Sequence, residues 1–311
     1  MKKLILIDAN SLIHRCFHAL PPFTNKEGRP TGALYGLSSV LIKILKEQKP
    51  DFIAAFFDRP EPTFRKEIFD DYKIHRPKAP DELVSQIIEA RNLFEVLGIK
   101  TFEIPGFEGD DLIGTAAEKF QSEPNIEIII FSGDMDNLQL VKNKKVLVET
   151  FKKGVSETII YDESAVKGKY GVSPAELPDY KGLVGDPSDN IPGISGIGPK
   201  TASLIIQKYK TLENFFENGK DDKNFEKIIS QKETAVLSKH LSTINKEAPL
   251  PIENINELAC REFPPQNLTS YLEKMGFKSI LKRLNNNNNS APSRQKLKKP
   301  ATPENPPLKL F

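Results

Sequence analysis

The chain has 311 residues, 38% of them apolar and 28% charged, with a formal net charge of +2. That balance is ordinary for a soluble globular protein and leaves room for one large domain, or a core domain with a smaller companion. The two cysteines, Cys16 and Cys260, exclude a disulfide framework and a CxxC metal pair, and read as reduced thiols of a cytoplasmic protein.

An apolar run begins almost at the first residue, so no signal peptide is expected, and no run approaches the ~18 residues of a membrane span. Short runs rich in Ile, Val and Phe fall near 3–8, 52–57, 99–104 and 126–131, with shorter ones near 145–150 and 157–161. Helical patterns lie between them, at about 10–19, 33–48, 80–97 and 109–120. This alternation predicts an α/β fold with a mostly parallel sheet and right-handed crossovers. The stretch 59–80 fits neither period and carries Arg59, Arg65, Lys66, Lys73, His75, Arg76 and Lys78 among Phe64, Phe69 and Tyr72. Taken alone, it is a solvated basic insertion. From Ser164 the strands give way to helices, and a run of asparagines from Asn285 to Asn289 opens a low-complexity tail that is expected to be disordered.

Four of the strand-like runs end in acid. KLILID closes on Asp8, FIAAFFD on Asp58, IKTFEIPGFEGDD on Glu108, Asp110 and Asp111, and IEIIIFSGDMD on Asp134 and Asp136. The turn-rich GDPSDNIPG adds Asp186 and Asp189. Singly, Asp110 and Asp111 suit the first turn of a helix, and Asp134 suits an N-cap. Jointly they point elsewhere, because ligands of open parallel sheets bind beyond the carboxyl ends of the strands. So many like charges in one crevice repel unless cations neutralise them, and oxygen-only donors select hard ions such as Mg²⁺ or Mn²⁺. Two such ions, roughly 4 Å apart, are a device for hydrolysing phosphodiesters.

GISGIGPKTA opens an amphipathic helix near Ile205. Gly193, Gly196 and Gly198 permit a tight turn that aims N–H groups at a phosphate, with Lys200 and the Thr201 hydroxyl beside it. An ordinary glycine-rich turn is the rival reading. In YKIHR, a helical course would place Tyr72 and Arg76 on one face, with Lys73 beside them, ready for a base and its phosphates.

The strings KLILIDANSLIHRCFHAL, FFDRPEPTFRKEIFDDYKIHRP, FEGDDLIG, SGDMDNLQL and GDPSDNIPGISGIGPKTA resemble the 5′–3′ exonuclease domain of bacterial DNA polymerase I and the wider flap-endonuclease family, from Met1 to about Leu284. The resemblance implies a PIN-like core over about 1–185 with a helical arch near 59–80. A helical region over 186–284 would carry a helix-three-turn-helix element, and a tail would follow over 285–311. It implies cleavage of 5′ flaps and of 5′ ends at nicks, with removal of RNA primers, in replication and repair. The family's metal carboxylates fall on the acids named above, its arch residues on Tyr72, Lys73 and Arg76, and a phosphate-contacting arginine on Arg15. Its duplex grip falls on Gly193, Gly196, Gly198 and Lys200. Gly109 stands where the family usually has Ala, and Met135 where it usually has Lys. The expected setting is a monomer near the nucleoid, binding DNA alongside a separate polymerase. The end Leu308–Phe311 is similar to clamp-binding peptides, against a frayed tail as the rival reading. A DNA-structure binder without metals and an RNA-directed PIN nuclease are the competing functions.

Overall fold

The structure, a computed structural model, describes residues 1–287. The expected alternation of strand and helix is present. Strand β1 (Lys2–Asp8) feeds α1 (Ala9–Ala19), and α2 (Gly32–Lys43), extended by a π-helical turn over Ile44–Gln48, returns the chain to β2 (Phe52–Phe56). The basic insertion holds only the short α3 (Phe64–Ile68), after which α4 (Asp81–Val96) leads to β3 (Lys100–Phe102). Then come α5 (Gly109–Phe120), β4 (Ile126–Phe131), β5 (Val146–Lys153) and β6 (Glu157–Tyr161).

The six strands lie in the order β3-β2-β1-β4-β5-β6. Every pairing is parallel except β5 with β6. Strand period explains how the sheet is held. Leu4, Leu6, Ala54, Phe56, Ile128 and Ile130 pack on the face covered by α5. Ile5, Ile7, Ile53, Ala55, Ile129 and Phe131 pack on the opposite face, under α1, α2 and α4. A central strand buried on both faces must be apolar at every position, which is why KLILID reads as a continuous run. Chain order reverses at β1, so the crevice expected at a topological switch point opens beyond Asp8.

The helical part comprises α6 (Glu163–Tyr170), α7 (Leu177–Val184), α8 (Pro199–Tyr209), α9 (Leu212–Asn218), α10 (Phe225–Ile229) and α11 (Lys232–Ser242). Its core residues Leu183, Ile197, Ile206 and Phe215 join the cluster under α5, so sheet and helices share one hydrophobic layer. Two further helices, α12 (Leu268–Lys274) and α13 (Lys278–Asn287), return to the far face, where Leu272, Phe277 and Ile280 pack with α2 and α4. The tail with Leu308–Phe311 lies outside the described residues. No described helix is long and apolar enough to cross a membrane.

Cys16 is fully buried beneath α2, and burial pushes its thiol up to about 12. Cys260 is only partly covered. Under native conditions a thiol reagent is expected to titrate one cysteine, Cys260, with Cys16 reacting only after denaturation. A native titre of two thiols would contradict the packing of α1 against α2.

Candidate active site

The carboxyl ends of the strands open into a cleft of about 750 Å³ lined by Asp8, Asp58, Glu108, Asp110, Asp134, Asp136 and Asp186. Each acid is set by its local fold. Asp8 caps α1, accepting from the Ser11 N–H at 3.0 Å while its other oxygen accepts from Ser132 Oγ at 2.6 Å. Burial, reinforced by Asp58, pushes Asp8 up to about 6. Asp58 is exposed to the cleft and accepts from the Gly109 N–H at 2.6 Å, yet desolvation by the cleft walls still raises its carboxyl. Asp110 accepts from Asn137 Nδ2 at 2.7 Å, and burial with the charges of Asp134 and Asp8 pushes it well above the usual range. Asp134 caps the 3-10 turn Met135–Leu140, accepting from the Asp136 N–H at 2.9 Å.

Cations answer the rest of the charge. The Lys181 ammonium, from α7, bridges Asp136 and Asp186, lying 2.8 Å from the latter. Burial pushes Asp136 up to about 6 even beside it. At Asp186 burial acts upward as well, but Lys181 outweighs it and holds the carboxyl below its usual range. Lys73 Nζ lies 2.8 Å from Glu108 and 3.8 Å from Asp189, and Arg76 reaches Asp189 at 2.5 Å. No group of three or more His, Cys, Asp or Glu among the described residues is drawn together as a ready-made metal site. The donor set nonetheless fits hard divalent ions: oxygen ligands only, several of them desolvated and raised by mutual repulsion.

Three expectations need correction. Asp111 does not line the cleft: it is fully buried, takes two hydrogen bonds of 2.8 Å from the Arg65 guanidinium, and accepts from the N–H groups of Glu108 and Asn245. Both of its oxygens are spent on these donors, so in this structure it anchors Arg65 and two backbone N–H groups. Tyr72 is buried and cannot stack on a base as it stands; its hydroxyl donates to Glu108 or Asp189, each 3.2 Å away. The segment 59–80 is not a continuous helix. After α3 it runs as turns, with Lys73 at φ 57° and its N–H on the Asp189 carbonyl, so ion pairing folds it onto the acids. Asp189 itself is buried among Tyr72, Lys73 and Arg76.

Residues that the sequence reading passed over also shape the cleft. Ser132 and Asn137, both inside SGDMDNLQL, link Asp8 to Asp110 through a shared hydrogen bond. His14 and His18 line the wall beside Arg15, whose Nε donates to the Gly154 carbonyl at 3.1 Å. Burial, then His18 and Arg76, lowers the His14 imidazole. On either side of Asp186 the chain turns through Gly185 and Gly193, both at positive φ, where a Cβ on Gly193 would sit 2.3 Å from the Gly185 nitrogen. Gly198 then caps α8 without a side-chain bond, leaving Lys200 exposed and Thr201 half-buried at its start.

The family model "5'-3' exonuclease, N-terminal resolvase-like domain" matches residues 3–171, and "5'-3' exonuclease, C-terminal SAM fold" matches residues 172–266. The chain belongs to the 5′–3′ exonuclease family. The exonuclease family models meet between residues 171 and 172, ahead of α7. DNA polymerase I of Caldicellulosiruptor bescii is 39% identical over 286 residues, covering 91% of this chain and 33% of the polymerase. A protein named 5'-3' exonuclease from Aquifex aeolicus is 36% identical over 285 residues, covering 91% of this chain and 96% of its own. The chain thus spans about a third of the polymerase relatives it matches. Among solved structures, a bacteriophage T5 flap endonuclease in a pseudo-enzyme-product complex with DNA and metal ions has the same fold. Its TM-score is 0.63 at 21% identity, covering 78% of this chain and 90% of that one.

The Arg65–Asp111 pair sets a test of the correction above. Both side chains are buried, so replacing Arg65 by Ala strands a charge and is expected to cost about 3–5 kcal/mol in denaturant unfolding. Asp111→Asn is expected to lower stability while leaving the stoichiometry of divalent-ion binding unchanged. Loss of an ion in calorimetry at unaltered stability would return Asp111 to the ligand set.

Proposed function

We propose that this exonuclease-family chain is a divalent-metal-dependent, structure-specific nuclease. It hydrolyses phosphodiesters at DNA 5′ ends and at the base of 5′ flaps, RNA primers included. One observation carries the reading: acids from four strand ends and a cationic turn face one another across a single cleft, and the glycine turn leads directly out of it. Family membership and the metal- and DNA-bound T5 neighbour support it.

In this reading Asp8, Asp58, Glu108, Asp110, Asp134, Asp136 and Asp186 hold Mg²⁺ or Mn²⁺, with Asp189 behind them. Bound there, such ions would supply a lowered pKa for the attacking water and charge stabilisation for the leaving oxygen. The chain's own groups do the positioning. Lys73 and Arg76 at the mouth exchange Glu108 and Asp189 for the phosphate oxygens of an entering 5′ end. Arg15, fixed from the opposite wall by the Gly154 carbonyl, receives a second phosphate. Lys181 keeps Asp136 and Asp186 together despite their repulsion. Gly193, Gly196, Gly198, Lys200 and Thr201 hold the downstream duplex through its backbone, without regard to sequence. The chain acts in the cytoplasm on nicked and flapped DNA, with polymerisation supplied by a separate enzyme or by a further part of a longer polypeptide.

Incubation with a 5′-flap duplex is expected to give cleavage in Mg²⁺ and none in EDTA. Asp134→Asn should lower the single-turnover rate about 100-fold or more while flap binding stays intact or tightens, since the lost group carries charge toward the ions and not the duplex. Near-normal turnover at saturating Mg²⁺ would remove Asp134 from the catalytic set.

Lys73→Ala should slow single-turnover cleavage by about 100-fold, more than it weakens binding in Ca²⁺. Its ammonium, within reach of both Glu108 and Asp189, sits where charge develops on the phosphate. Lys73→Arg should rescue poorly, because a planar fork does not replace a compact ammonium. An unchanged single-turnover rate with weakened binding would make Lys73 an ordinary surface contact.

A further inference from the structure

The glycine turn that leads out of the cleft is faced by a side chain from a different part of the fold. Lys227, on α10, places its Nζ only 3.0 Å from where a Cβ on Gly196 would stand. Gly196 has φ +76°, so the turn presents bare backbone to that ammonium. The approach is built and not incidental. Gln231 Oε1 accepts from the Ser195 N–H at 3.2 Å, while Gln231 Nε2 donates to the Lys227 carbonyl at 3.2 Å. A further bond, from the Gly193 N–H to Ser238 Oγ at 3.0 Å, ties the turn to α11. The turn and the α10–α11 segment are therefore one stapled unit.

The charge of that unit is unanswered from within. Lys200 and Lys227 are both exposed, and among the described residues neither has a carboxylate at ion-pair distance. The N–H groups of Gly196, Gly198, Lys200 and Thr201 likewise have no acceptor among the described residues. By contrast, Lys239 on α11 is tied to Asp179 and Glu213. Lys232 places its ammonium over the Phe216 ring. Two unspent ammonium groups flank a short row of unspent N–H donors, an arrangement that fits consecutive phosphates of one strand.

We propose that Lys227 is a second cationic arm of the duplex grip, contacting the DNA backbone together with Lys200 and the glycine turn. The proposal rests on the reading that this turn holds the downstream duplex, and it adds a positioning residue that lies outside the glycine motif. Lys227 touches phosphate remote from the scissile bond, so its contribution is to affinity and its salt dependence. Removing one lysine–phosphate contact shallows the slope of log affinity against log salt by about 0.9.

The test is equilibrium binding of the full chain to a labelled 5′-flap duplex in Ca²⁺, across a KCl series, for wild type, Lys227→Ala, Lys227→Arg, Lys200→Ala and the Lys200→Ala/Lys227→Ala double variant. Lys227→Ala is expected to bind several-fold more weakly with a slope shallower by about 0.9. Lys227→Arg should keep the wild-type slope, and the double variant should lose about two contacts. Trimming the downstream duplex so that it ends short of the glycine turn should erase the difference between wild type and Lys227→Ala. A merely structural role for Lys227 would lower the melting temperature and persist on the trimmed substrate; that result overturns the proposal. If Lys200→Ala weakens binding while Lys227→Ala leaves affinity and slope unchanged, the second arm is refuted and the glycine grip stands. If neither substitution changes the slope, the grip reading itself fails and Lys227 falls with it.

Discussion

Repulsion between carboxylates is the constraint around which this structure is arranged. Two like charges about 4 Å apart at a protein surface cost on the order of 4 kcal/mol, a sizeable share of the stability of a whole domain. The sheet brings Asp8, Asp58, Asp110 and Asp134 to one end, where burial and mutual charge raise Asp8, Asp58 and Asp110 above the ordinary carboxylate range. The fold answers in two ways. Toward the mouth it interposes cations: Lys73 and Arg76 against Glu108 and Asp189, and Lys181 between Asp136 and Asp186. Toward the sheet it supplies only neutral donors, Ser132, Asn137 and the Gly109 N–H. The inner acids therefore keep a deficit of positive charge that a divalent ion is suited to fill.

That division explains why sheet and helical part cannot be designed independently. Lys181, Asp186 and Asp189 come from α7 and the turn after it, while Asp136 comes from the 3-10 turn that follows β4. A tight backbone crossing holds them in register, with Asp186 and Ile191 bridged and Gly185 against Gly193. Any side chain at Gly193 would collide with the Val184 and Gly185 backbone. The same crossing aims the following residues into α8, so the position of the glycine turn relative to the acids is fixed by backbone packing.

Much of this was legible in the sequence. The strands were readable because a buried parallel strand must be apolar at successive positions, and the acids because they follow those runs. The glycine turn was readable as a turn because Gly193 and Gly196 take positive φ just before the Pro199 start of α8. What was not legible depended on long-range pairing. Arg65 reads as one cation in a basic insertion, yet it is buried through Asp111 and the Leu241 and Thr243 carbonyls, distant in sequence. Tyr72 and Arg76 suggest one face of a helix, but their true partners Glu108 and Asp189 pull the segment into turns. Asp111 is indistinguishable from Asp110 by pattern; only the direction of its side chain, inward toward Arg65, separates anchor from cleft. Lys181 gave no local signal, since its meaning lies in two acids on other segments.

At Met135 the chain carries no cation of its own between Asp134 and Asp136. The position between Asp134 and Asp136 holds a thioether packed at the edge of the core, so no cation arises there from the chain's local sequence. Lys181 nevertheless delivers an ammonium to Asp136 from another helix, and that ammonium also serves Asp186. The balance of charge in the cleft is therefore set by the assembled fold, and not by the SGDMD string alone. A cation carried on α7 differs from one carried beside Asp134 in an important respect. It belongs to the helix that leads into the glycine turn, so Asp136 and Asp186 are held by a residue of the helical part. The ion pair thus ties the 3-10 turn after β4 to α7 and the turn that follows it.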